Sequence, residues 1–215
     1  LDAAGLFIPC AYSTKVDVCA GIQARFTDVG HLLGSACIEV WATEGDTTKK
    51  VLFSGDVGNT DQPILKDPQT VDEADYVLIE STYGDRLHPS IDNAEQELAL
   101  IVKDACAQNR GKLLIPSFAI GRTQDIVFAL HRLKLAGDLP DVEIFVDSPL
   151  AVSATNIFRL HKDCFNADMQ EFMESSEDPF GFEKLHYVRT IDDSKRLNTY
   201  NRPCIIISAS GMMEA

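Results

Sequence analysis

The chain has 215 residues, 45% of them hydrophobic and 24% charged, with 33 acidic against 19 basic side chains and a formal net charge of −14. That length buries a real core in one or two domains, and the composition is globular rather than disordered or fibrous. No apolar run approaches the length of a transmembrane helix, and the acidic balance argues against a conventional basic nucleic-acid surface.

Residues 22–29 and 37–43 alternate apolar and polar side chains, the period of half-buried strands. Glu44-Gly45-Asp46 supplies a turn before a third strand at 50–54. Residues 61–75 read as a polar loop with Pro63 and Pro68, and 76–80 (Tyr-Val-Leu-Ile-Glu) as a short strand buried on both faces. The pattern then changes. Apolar spacing predicts helices over 92–109, 121–135 and 149–160, alternating with apolar strands at 112–116 and 204–208, both read as buried, and at 143–147. Ile126, Val127, Leu130 and Leu133 share one face of the second helix. Strands of about five residues separated by helices predict a parallel sheet with crossover connections. The fold class is therefore α/β, with a domain change near residues 85–92.

The N-terminus carries no initiator Met, basic region or signal-like stretch, and the chain stops directly after a predicted strand, so it reads as an internal fragment of a longer protein. Six cysteines (Cys10, Cys19, Cys37, Cys106, Cys164, Cys204) are scattered without a Cys-x-x-Cys pair. Buried free thiols of a reducing cytoplasm account for them.

The chemistry concentrates in two Gly-rich turns, each directly after a predicted strand: Asp28-Val-Gly-His31-Leu-Leu-Gly-Ser-Ala36 and Ser54-Gly-Asp56-Val-Gly58. Flanking glycines let the backbone turn sharply and approach a ligand closely. An imidazole and a carboxylate displayed in this way suit a hydrolytic metal site, in which a carboxylate can bridge two cations ~3.5–4 Å apart. Asp28 is a candidate hydrogen-bond acceptor for the His31 ring. The plain alternatives are a hydrogen-bonded structural histidine and a turn-capping aspartate. Two ligands do not hold a catalytic zinc.

Those turns resemble the third and fourth metal motifs of the metallo-β-lactamase superfamily. Ile79-Glu80-Ser-Thr-Tyr-Gly-Asp-Arg86 resembles the acidic motif that opens the β-CASP insertion. Ile115-Pro-Ser-Phe-Ala-Ile-Gly-Arg122-Thr-Gln124, Val146-Asp-Ser-Pro-Leu-Ala151 and Ser208-Ala-Ser-Gly-Met-Met-Glu-Ala215 are similar to later β-CASP segments, in order. The resemblance spans essentially the whole chain and points to the RNA-processing nucleases of that family. It implies the C-terminal part of a metallo-β-lactamase αββα sandwich in residues 1–88. A β-CASP domain in 89–215, incomplete at its end, would follow. It further implies a dinuclear zinc ribonuclease acting between the two, endonucleolytic or from the 5′ end, with His31 on one metal and Asp56 bridging both. Glu80 matches the acid beside the metals that supports a later catalytic histidine.

Ser210 and Gly211 sit where an open α/β sheet binds ligands and could cradle a substrate phosphate; Arg122 at a helix start could touch one. The alternatives are a plain strand-to-helix turn and a surface arginine. The family's His-x-His-x-Asp-His motif would lie upstream of Leu1 and its later histidine motifs beyond Ala215, so the fragment alone is expected to be inactive. His88, His131, His161 and His186 form no ligand-like pair and read as surface or capping residues. The ligand types accept manganese as well as zinc. RNA is the implied partner, with no membrane, a cytoplasmic location, and a homodimer left open. Two other readings stand beside the nuclease: a catalytically inactive RNA-binding scaffold of the same family, and a metallo-hydrolase for a thioester or lactam.

Overall fold

The computed structural model describes residues 3–87, 93–175, 178–210 and 212. The chain divides into two compact units, Leu1–Leu87 and His88–Ala215.

The first unit is built on a five-stranded sheet whose spatial order follows the sequence. Its strands are β1 (Lys15–Cys19), β2 (Ile22–Asp28), β3 (Ala36–Glu44), β4 (Thr47–Phe53) and β5 (Tyr76–Leu78). The first four are antiparallel neighbours, and β5 joins β4 in parallel. Consequently β2, β4 and β5 run in one direction, and the segments that follow them leave the same end of the sheet. Alternation sorts the strands into two faces. Phe26, Ile38, Val40 and Val51 lie on one. Arg25, Glu39, Trp41 and Lys50 lie on the other. The run at 76–80 does not form a strand buried on both faces: Tyr76, Val77 and Leu78 are each more than half exposed. Their apolarity reads as central, but β5 has β4 as its partner and stands at the sheet edge.

The second unit carries a four-stranded, all-parallel sheet in the order β6-β9-β7-β8: β6 (Lys112–Pro116), β7 (Glu143–Asp147), β8 (Leu185–Val188) and β9 (Cys204–Ser208). Among the described residues, five α-helices connect or flank these strands: α1 (Ala94–Val102), α2 (Arg122–Leu135), α3 (Pro149–Leu160), α4 (Ala167–Glu174) and α5 (Ile191–Asn198). The helix predicted over 92–109 is interrupted: α1 passes into a π-helical turn at Lys103–Gln108. Side-chain oxygens open three helices. Ser148 accepts from Ala151 N–H, Asn166 from Met169 N–H and Thr190 from Asp193 N–H.

Ile144 and Val146 face Ile205 and Ile207 across the register, all at or near zero exposure. On the opposite face, Phe145 and Ile206 pack with Leu197 of α5 and Tyr200. The strand at β9 is buried as its composition predicts. β6 is not: Leu114 is 65% exposed because β6 forms the edge of the sheet.

The cysteines split. Cys37, Cys106, Cys164 and Cys204 are buried and outside any disulfide, whereas Cys10 and Cys19 are exposed. His131 corrects the surface reading: it is 3% exposed, stacked on Phe182 and edge-on to Phe172. His161 caps α3, and His186 is an exposed partner of Glu143. His88 lies outside the described residues.

Candidate metal-binding loops

β2 ends at Asp28, whose buried carboxylate does not reach out of its turn. Oδ1 accepts from Gly30 N–H at 2.9 Å, and the Asp28 carbonyl accepts from Gln69 N–H at 2.9 Å. The expected support of the His31 ring is thus replaced by an Asx-type closure of the turn. Gly30 follows at φ +61°, and a Cβ there would lie 2.4 Å from the Lys66 carbonyl oxygen. Left-handed backbone and close approach together require glycine at this position. His31 comes next, exposed, with its N–H donating to Ser35 Oγ at 3.0 Å.

β4 ends at Phe53. Buried Ser54 donates its N–H to Leu78 O at 2.9 Å and its hydroxyl to Gly55 O at 2.7 Å. The turn then presents Asp56 to solvent. Gly58 N–H donates to Val29 O at 2.8 Å. A Cβ on Gly58 would stand 2.3 Å from the Gly30 carbonyl and 2.6 Å from His31 N. The two predicted turns therefore interlock, backbone against backbone.

Glu80, just past β5, ties both together. Its N–H donates to Ser54 Oγ at 3.0 Å, and its Oε1 accepts from Val57 N–H at 2.8 Å. The Val57 N–H, then the Thr82 hydroxyl and N–H, with the nearby His31 ring, hold the Glu80 carboxyl below the usual range. So the group is an ionised acceptor rather than a proton donor.

His31, Asp56 and Glu80 thereby stand on the segments that follow β2, β4 and β5, at one end of the sheet. An imidazole and two carboxylates have the donor chemistry that zinc or manganese takes. His31 and Asp56 fit as part of a ligand set, with Glu80 beside them. Among the described residues, no group of three or more His, Cys, Asp or Glu is arranged to hold a metal ion.

The remaining candidates belong to the second unit. Arg122 is exposed at the start of α2, where Gly121 provides no side-chain cap. Three residues on, burial pushes the Asp125 carboxyl up to about 6 against the opposing pull of Arg122. Ser210 is exposed beyond β9, its Oγ accepting from Met212 N–H at 3.2 Å. Gly211 lies outside the described residues. The segments after β6 and β9 are joined by Ser117 N–H donating to Ser208 O at 2.9 Å, and buried Thr123 fixes Ser117 in turn. Sequence reasoning passed over Ser35, Ser54 and Thr82. Their signal was a hydroxyl residue within four positions of each candidate side chain.

A Beta-Casp domain matches residues 123–215. An RNase J-like protein of Methanocaldococcus jannaschii is 32% identical over 206 residues, covering 94% of this chain and 46% of the relative. Ribonuclease TTHA0252 of Thermus thermophilus is 33% identical over 212 residues, covering 99% and 47%. Transcription termination factor FttA of Methanosarcina mazei is 29% identical over 211 residues, covering 96% and 32%. The chain thus spans about half the length of the first two relatives. With these matches running across both units and the motif order intact, the chain belongs to the metallo-β-lactamase β-CASP family.

Proposed function

We propose that the protein to which these residues belong is a metal-dependent ribonuclease that hydrolyses RNA phosphodiester bonds. The observation that carries this reading is the convergence of His31, Asp56 and Glu80 on loops interlocked through Gly30 and Gly58. The ribonuclease names of two relatives support it. We read residues 1–88 as part of the metallo-β-lactamase sandwich and 89–215 as the β-CASP domain. A zinc pair, or manganese, would be held by His31 and Asp56 together with ligands from outside these residues. When bound, such a pair lowers the pKa of water and screens developing negative charge on the phosphate. His31 would supply an imidazole nitrogen to it, and Asp56 a carboxylate. Glu80, kept ionised, orients polar groups beside them. Arg122, Ser210 and Gly211 would contact substrate phosphate. No helix among the described residues is long and apolar enough to cross a membrane.

The test uses the full-length protein. Asp56→Ala is expected to lower RNA hydrolysis at least about a thousandfold, a loss of roughly 4 kcal/mol of transition-state stabilisation, while circular dichroism stays that of the wild type. His31→Ala should release metal as well as activity. Glu80→Gln should slow turnover about ten- to a hundredfold with metal retained. Normal cleavage by Asp56→Ala sinks the metal-bridge assignment; metal lost from Glu80→Gln would make that residue a ligand.

A further inference from the structure

We propose that Ser35 is a positioning residue for His31. Its hydroxyl oxygen sets the main-chain path that aims the imidazole, so the aim exists before any metal arrives. The inference rests on the reading of His31 as a metal ligand.

The His31 side chain is exposed, so packing does not fix its direction; the main chain does. That main chain is gripped on two sides. Behind it, the Gly58 backbone lies so close that no side chain fits between. Ahead of it, one oxygen collects two amides: Ser35 Oγ accepts from His31 N–H at 3.0 Å and from Leu32 N–H at 3.1 Å. A hydroxyl oxygen has two lone pairs, and both are engaged here. Ser35 N–H returns to Leu32 O at 2.9 Å, closing the loop on itself. The Ser35 carbonyl is anchored in turn by the Tyr12 hydroxyl at 2.9 Å, a bond to a segment 23 residues earlier in the chain. Residue 31 is therefore held by contacts that owe nothing to a metal. Preorganisation of this kind is what separates a tight site from one an ångström too loose. Alanine at 35 removes the shared acceptor and frees both amides. Threonine keeps the oxygen.

The full-length protein, Ser35→Ala and Ser35→Thr are compared by zinc affinity, using chelator competition, and by amide hydrogen exchange over residues 29–36. Ser35→Ala is expected to bind zinc about ten- to a hundredfold more weakly. Exchange at His31 and Leu32 should quicken, with the melting temperature near that of the wild type; Ser35→Thr should restore affinity and protection together. Faster exchange with unchanged zinc affinity overturns the proposal, leaving Ser35 a closer of turns. So does affinity lost equally in Ser35→Ala and Ser35→Thr. His31→Ala separates the two ideas. Affinity untouched in that variant overturns the metal reading, and the proposal with it. Affinity lost in His31→Ala but intact in Ser35→Ala overturns the positioning role alone.

Discussion

Glu39 shows how much one side chain can carry. It is fully buried on β3, and its carboxylate accepts from Arg25 at 2.5 and 2.7 Å, Thr27 Oγ1 at 3.0 Å and Lys50 at 2.6 Å. The Arg25 hydrogen bonds pull its pKa down against the cost of burial, with Lys50 and Thr27 assisting, to about 2. Arg25 and Lys50 also lie over the Trp41 ring, at 5.4 and 5.1 Å from its centroid, beside Lys15 at 3.7 Å. Because the folded pKa lies below the unfolded one, the stabilisation is fully present above about pH 4.5 and is lost as pH falls towards 2. Above about pH 4.5 it is worth on the order of 3 kcal/mol. Glu39→Gln should therefore lower stability by about that much at pH 7, with the gap to the wild type closing on acidification, as read from denaturant melts at several pH values. A gap that stays constant down to pH 3 would mean the loss is one of packing. His131 carries a different lesson. It follows Val127 and Leu130 at helical spacing on the buried stripe of α2. Periodicity locates it in the core, and residue type misleads.

At the scale of elements, the loops are governed by close approach more than by hydrogen bonding. Gly58→Ala would drive a methyl into the Gly30 carbonyl and the His31 nitrogen. The expected cost is about 1–3 kcal/mol, with a fall in bound metal larger than that loss of stability explains. Denaturant melts and zinc content of the full-length variant check both parts, and wild-type values in each would show that the two loops can part freely. The glycines in these turns were readable as markers of sharp backbone; that the two turns press on each other was not, because contact across 28 residues leaves no local pattern. Legibility of the elements divides the same way. The strands at Lys112–Pro116, Glu143–Asp147 and Cys204–Ser208 and the helix at Pro149–Leu160 fall on their apolar runs residue for residue. β1, β8, α4 and α5 escaped notice. They are short, and in β1 and α5 most positions are exposed, so little periodicity marks them. The misjudged burial of β5 and β6 has one cause. Composition reports that a strand is apolar, whereas position in the sheet decides whether it is covered.

For the whole molecule, charge is the property that bears hardest on an RNA-cutting role. Residues 1–87 hold 14 acidic and six basic side chains, and residues 88–215 hold 19 and 13. Neither unit offers a surplus of cations to a polyanion. Several of the basic groups are already committed: Lys103 to Asp138, Arg132 to Glu95, Arg159 to Asp178 and Arg196 to Asp193. If phosphate is nonetheless drawn to the His31, Asp56 and Glu80 loops, most of the attraction must come from divalent cations bound there. Side-chain neutralisation of single-stranded RNA gives a slope of log affinity on log salt of about −0.7 for each phosphate contacted. The full-length protein is therefore expected to bind a 2′-O-methyl oligoribonucleotide with a slope no steeper than about −2, equivalent to roughly three phosphates. Removing metal with a chelator at constant ionic strength should weaken that binding at least about tenfold. Fluorescence anisotropy across a salt series, with and without chelator, measures both quantities. A slope steeper than about −4 that survives the chelator would assign the phosphate contacts to lysine and arginine instead, and would detach RNA binding from the metal loops.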